Sequence, residues 1–162
     1  MKLELKHLTP YLPYELKLHY EHTNKTGQIS NIYTIGEGYD NDDIKISIDG
    51  GSDEHIWMYK PILRPLSDLI KDIHGIGIPL FELLKIQYNE FTRAVLNEGY
   101  PWKFKEMNDG FYVMDINDTP YLSINKDLRV CEIWILEKLF EWHFDVFGLI
   151  EKGLGIDINT LD

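Results

Sequence analysis

The chain has 162 residues, 44% hydrophobic and 13% aromatic, enough for a domain with a real core and too apolar for a disordered chain. Sixteen Lys and Arg stand against 27 Asp and Glu, a net charge of −11, and only three of those cations are Arg. That balance argues against free nucleic acid as a ligand, because phosphate binding needs a basic patch. It leaves two readings: a surface steered toward a basic partner, or acidity that serves solubility alone.

Cys131 is the single cysteine, which rules out an intramolecular disulfide. The opening residues, MKLELKHLTPYLPYELKL, alternate polar and apolar and carry two prolines, unlike a signal peptide. No apolar run approaches the ~18 residues that would cross a bilayer, so a cytoplasmic protein is expected.

In chain order, residues 1–14 read as a short helical or extended lead closed by a proline-set turn. Thr9 and Leu12, each before a proline, are pushed extended. Glu15 to Glu21 alternates with Leu16, Leu18 and Tyr20 on one side, a strand pattern. A turn at 24–27 leads to a second strand at 28–35, rich in β-branched residues, and residues 36–43 form an acidic loop. IKISI, 44–48, is a third strand with clean alternation, and the three suggest an antiparallel meander.

DGGSDE, 49–54, closes that unit, and 55–60 reads as extended or turn. Pro61 and Pro65 bracket an irregular piece, 66–73 spans about two helical turns, and HGIGIP breaks it. Pro79 then opens a helix to residue 98, stopped by Gly99, with Leu80, Leu83 and Leu84 on its apolar stripe. Three strands follow at 100–105, 110–116 and 120–124. A long helix over 130–147 closes the order, its apolar sector holding Ile133, Leu136, Leu139, Phe140, Trp142, Phe144, Val146 and Phe147. Glu132 and His143 interrupt that sector, and Trp134 falls among the charges, a position predicted to be exposed. The tail reads as a turn, a short apolar return and a frayed end. The expected fold is α+β: short antiparallel strands in two groups packed with two longer helices, about 79–98 and 130–147. It forms a single domain, 1–162, with an N-terminal β subregion, 1–54, and an α+β core, 55–162.

Catalytic signatures are scarce. His7, His19, His22, His55, His74 and His143 are scattered without HxH or HExxH spacing, so no metal site is read, and His143 is expected as a hydrogen-bonded core histidine. The glycines form no phosphate loop, no GxSxG occurs, and Cys131 on a core helix is a poor nucleophile. No cofactor is implied. Carboxylates are the one dense group: Glu37, Asp40, Asp42, Asp43, Asp49, Asp53 and Glu54 lie among residues 37–54 against one Lys. Their spacing departs from an EF-hand loop. They read either as a phosphate-like display for a basic groove or as charge guarding a sheet edge. YLPY at 11–14, YPW at 100–102 and Trp134 add a candidate aromatic surface.

Three motifs, HLTPYLPYELK (7–17), KPILRPLSDL (60–69) and EKLFEWHFDVFGLIEKGLGIDINTL (137–161), cover about 45 of the 162 residues. Together they resemble a group of small, largely uncharacterised proteins of phages and prophages of Bacteroidota. The resemblance supplies no catalytic residue. It implies a small cytoplasmic protein of a mobile element, a setting in which anti-CRISPR proteins occupy the basic channels of RNA-guided effectors, here of type VI or type II. The leading expectation is therefore a non-enzymatic, phage-encoded inhibitor that binds a host nucleic-acid-handling protein with a basic groove. Its contact would use the acids of 37–54 and Trp134. The alternatives are a small metal-dependent hydrolase assembled by folding, or a phage accessory protein that associates through apolar helix surfaces.

Overall fold

The computed structural model describes residues 2–34, 44–88 and 101–161. The chain's contacts gather into two compact units, residues 1–65 with 139–162 and residues 66–138. The class is α+β, with strands in two groups: one sheet of six strands and one of three. No described helix is long and apolar enough to cross a membrane.

The first unit opens with helix α1 (Leu5–Leu8), which passes directly into a 3-10 stretch, Thr9–Tyr14, where Pro10 and Pro13 prevent an α-helix from continuing. Strand β1 (Lys17–Tyr20) follows the alternation: Leu16 and Leu18 are buried while Lys17 is exposed. The turn falls at 21–24, earlier than the sequence suggests, and uses Asn24 at φ 54°, a residue type that tolerates the left-handed region. Strand β2 (Lys25–Thr34) therefore takes Lys25 to Gly27 into the ladder opposite Tyr20 to Leu18. Strand β3 (Ile44–Ile48) pairs with β2 and strand β4 (Glu54–His55) pairs with β3, both antiparallel.

Strand β5 (Tyr59–Leu63) occupies part of the region expected to be irregular. Pro61 is tolerated because β5 pairs with β1 only through Pro61 and with the next neighbour from Ile62 onward, so the missing donor sits where the strand changes partner. That neighbour is the apolar return of the tail, the last strand of the chain at Ile156–Asp157, which runs parallel to β5. The sheet order is thus β4, β3, β2, β1, β5 and that final strand, so the C-terminal stretch forms one edge of the sheet with β5 between it and the β1–β2 hairpin.

The second unit begins with a 3-10 turn, Leu66–Ile70. Helix α2 (Pro79–Gln87) starts on proline as expected and buries Leu80, Leu83 and Leu84. Tyr88 is already extended, and the expected continuation over 89–98 lies outside the described residues. Strands β6 (Lys103–Glu106), β7 (Gly110–Met114) and β8 (Pro120–Asn125) form an antiparallel meander on which α2 packs. Asp115 is buried at the β7–β8 turn, where one carboxylate oxygen accepts the backbone N–H groups of Asn117 (2.8 Å) and Thr119 (2.9 Å). Helix α3 (Ile133–Glu141) follows a 3-10 turn at Leu128–Val130, and Cys131 stands ahead of it, half-buried.

Helix α3 is shorter than the apolar period predicts, ending at Glu141 rather than near Phe147. The reason is a Schellman stop built on His143 instead of Gly148. His143 takes φ 59°, its N–H reaches the Phe140 carbonyl (3.0 Å), and the Phe144 N–H reaches the Leu139 carbonyl (2.8 Å). Phe144 then sits fully buried in an extended segment bridged to Arg64, so its place in the apolar pattern reflects core packing outside a helix.

Three contacts fasten this segment within the first unit. The fully buried Tyr11 hydroxyl donates to the Phe144 carbonyl (2.6 Å) and accepts the Val146 N–H (3.2 Å), and burial pushes its pKa well above the usual phenol range. The buried Asp145 carboxylate accepts the N–H groups of Leu149 (2.7 Å) and Ile150 (2.8 Å). His143 Nε2 bonds the Tyr14 carbonyl (2.6 Å), so the neutral ring carries its proton there. Here His143 is the hydrogen-bonded histidine the sequence suggests. Burial lowers its pKa below the ordinary histidine value; Arg64 and Lys17 push the same way, while the Tyr14 carbonyl and Glu15 oppose.

Replacing Tyr11 with Phe removes both bonds and leaves the Phe144 carbonyl and the Val146 N–H only their bond to each other (2.9 Å), and should destabilise the protein by about 1–2 kcal/mol. The expected readout is a lower urea midpoint with an unchanged slope. Because the folded-state pKa of His143 lies below its unfolded value, stability is full above pH ~6.5 and falls as pH drops through the folded value. His7, whose pKa burial also lowers, acts in the same direction. Urea titrations at pH 7 and pH 5 should show a smaller loss for His143→Asn, which keeps a residue suited to positive φ, than for wild type.

Candidate protein-binding surface

Asp49, Asp53 and Glu54 meet at one end of the six-stranded sheet, where the β1–β2 turn lies beside the connection from β3 to β4. Asp49 follows β3 at φ 48°. Its N–H donates to the Gln28 carbonyl (3.0 Å), and its carboxylate accepts the Gln28 N–H (3.1 Å). Gly27 makes room for that carboxylate: a Cβ there would lie 2.1 Å from Asp49 Oδ2. Asp49 is therefore exposed but also holds the β2–β3 register.

Asp53 hydrogen-bonds the Tyr33 hydroxyl, and that bond raises the Tyr33 pKa. Glu54 opens β4 opposite Ile46, is half-buried, and accepts the Ser52 hydroxyl at 3.4 Å. Behind these acids the rings of Tyr20 and Tyr59 lie 5.1 Å apart, tilted by 33°. Burial raises both phenols, Tyr59 to about 12, and the charge of Glu54 pushes each further in the same direction. The Tyr59 hydroxyl bonds the Ile46 carbonyl (3.3 Å) and that of Tyr20 faces Met58 Sδ (3.9 Å).

The structure thus collects Asp49, Asp53 and Glu54 at a single sheet end. Glu37, Asp40, Asp42 and Asp43 lie outside the described residues. Trp134 belongs to the second unit and is half-buried rather than exposed, because it falls in the first turn of α3 and its indole N–H donates to the Glu132 carboxylate (2.8 Å). Glu132 itself is exposed, just ahead of the helix. The exposed apolar residues of that stretch are Val130 (69%) and, against the wheel's placement in the apolar sector, Ile133 (75%), which is the first residue of a helix that begins later than the wheel assumes.

Sequence reasoning missed Trp57. It is 47% exposed and stacks on His55, with ring centroids 5.8 Å apart and planes 16° from parallel. It stands three residues after Glu54, at the short edge strand of the sheet. The available signal was its place in DEHIWMY, a bulky aromatic directly after an acidic turn and two residues from a second ring.

Among the described residues no group of three or more His, Cys, Asp or Glu is placed to hold a metal ion. His55 stacks on Trp57. Cys131 is half-buried, and burial raises its thiol pKa. The molecule is an α+β chain presenting an acidic, aromatic sheet edge. No protein-family model, curated protein or solved structure matches it.

Proposed function

We propose that this chain acts by binding a basic protein partner through the acidic edge at β4, making and breaking no bond itself. In the setting its three motifs resemble, the partner is a host defence nuclease, an RNA-guided effector of type VI or type II, inhibited in the host cytoplasm through its basic groove. The observation that carries the reading is Trp57, nearly half exposed and stacked on His55, three residues along the chain from Glu54. Charge alone would suffice to guard a sheet edge against pairing, whereas an exposed tryptophan has no part in that task. Aromatic anchors flanked by charge are what recognition surfaces use: the ring supplies affinity on desolvation and the carboxylates steer encounter.

The test is co-purification with identification of the partner by mass, followed by binding kinetics on the purified pair. Trp57→Ala should weaken the complex by about 2 kcal/mol, chiefly through faster dissociation. Charge reversal at Asp53 and Glu54, alone or with Asp40, Asp42 and Asp43, should slow association by about tenfold at low salt and flatten its salt dependence. A complex indifferent to both changes would place the contact elsewhere.

A second reading, an accessory protein that self-assembles through an apolar surface, is favoured by Val130 and Ile133, 69% and 75% exposed ahead of and at the start of α3. Sedimentation would then show a concentration-dependent oligomer that Ile133→Glu abolishes. A monomer at every concentration removes this reading.

A further inference from the structure

The same sheet end holds a pocket of about 250 Å³ lined by Tyr20, Thr23, Lys25, Asp49, Ser52 and Tyr59, with Thr26, Ile48 and Gly51 completing it. We infer that this pocket accepts an arginine side chain of the partner. The inference rests on the binding reading above and names the group that surface receives.

Size comes first. Pockets that enclose whole small-molecule ligands run about 300–1,000 Å³, so this space suits one long side chain rather than a nucleotide or an organic cofactor. Charge comes second. Asp49 stands on the wall, and Glu54 and Asp53 lie close enough that Glu54 pushes up the pKa of both tyrosines and Asp53 that of Tyr59. Lys25 is the single cation among the lining residues and is exposed. On the lining one carboxylate meets one ammonium, and the charges of Glu54 and Asp53 nearby tip that balance toward a cationic occupant.

The walls distinguish arginine from lysine. Tyr59 is buried against the Tyr20 ring, 5.1 Å away, and the half-buried ring of Tyr20, its hydroxyl turned to Met58, is the aromatic wall that attracts a flat cation by cation–π and stacking contact. The acceptors are spread out. The Asp49 carboxylate, held by Gln28 N–H through Oδ1 and packed on Gly27 through Oδ2, keeps further lone pairs, Ser52 Oγ donates to Glu54 and keeps its own, and Thr23 adds a second hydroxyl. A guanidinium has five donors in a rigid fork to meet such a set, whereas an ammonium is a compact point charge. Lys25 then acts against the occupant, weakening a site that would otherwise hold any cation.

The test is a titration of the isotope-labelled full chain, followed through the amide signals of Thr26, Gly51 and Ser52. The probes are Nα-acetyl-arginine methylamide, its lysine and citrulline counterparts, and inorganic phosphate. The arginine probe should give saturable shifts, the lysine probe should bind about fivefold more weakly, and citrulline, equal in shape but uncharged, should give none. Lys25→Glu, at an exposed position, should tighten the arginine probe about threefold. Equal responses to arginine and citrulline, no response to arginine, or a phosphate response lost in Lys25→Glu would each overturn the inference. The two proposals fail separately: a partner bound without any arginine response sinks the pocket alone, and an arginine response without a protein partner sinks the binding reading alone.

Discussion

The phenol of Tyr11 is the fastening on which the first unit turns. A single hydroxyl, fully buried, donates to residue 144 and accepts from residue 146 across more than 130 positions of chain. Without those partners it would be an unsatisfied polar group in an apolar core. With them it holds the N-terminal 3-10 stretch against the segment that follows α3. Asp145, next to Phe144, extends the fastening by capping the turn at Leu149 and Ile150, and from that turn the chain proceeds to its last strand beside β5. The closing strand depends on this chain of contacts, because two residues of parallel ladder are too few to hold it alone.

The sheet closed in this way has short edges at both ends, two residues at β4 and two at the final strand. Short edges limit unwanted pairing, and acids on β4 reinforce that protection. The same acids divide their labour. Asp49 spends part of its carboxylate on the β2–β3 register, Asp53 holds the Tyr33 hydroxyl, and Glu54 shapes the potential around Tyr20 and Tyr59. The negative surface is therefore built from groups already positioned by hydrogen bonds, and a partner meeting it loses less conformational freedom than it would against loose side chains.

The candidate surface was legible only in part. The acids of 49–54 announce themselves by density, but their separate roles do not, because each role involves a residue far away in sequence: Gln28 for Asp49, Tyr33 for Asp53 and Tyr20 for Glu54. Trp57 escaped because a tryptophan in a segment readable as extended or turn is as compatible with core packing as with exposure. Trp134 failed in the opposite direction. A wheel drawn over a helix from 130 assigns it to a solvated face, but the helix begins at Ile133, and Glu132 is free to reach back to the indole.

What the sequence determined by itself is local and periodic. IKISI had to be a strand, since alternate residues give it one apolar face; Pro79 had to open a helix, since its fixed φ and missing N–H suit that position; and the turns between β6, β7 and β8 follow from their Asn, Asp and Gly residues. The tertiary structure decided where α3 stops, that Pro61 lies within a strand, and that the tail returns to pair with β5. Each of these depends on energy gained between residues distant in sequence. A histidine accepts a left-handed backbone because the Tyr14 carbonyl holds its ring and the core takes Phe144. Such gains leave no periodic trace in the chain, so only the folded arrangement reveals them.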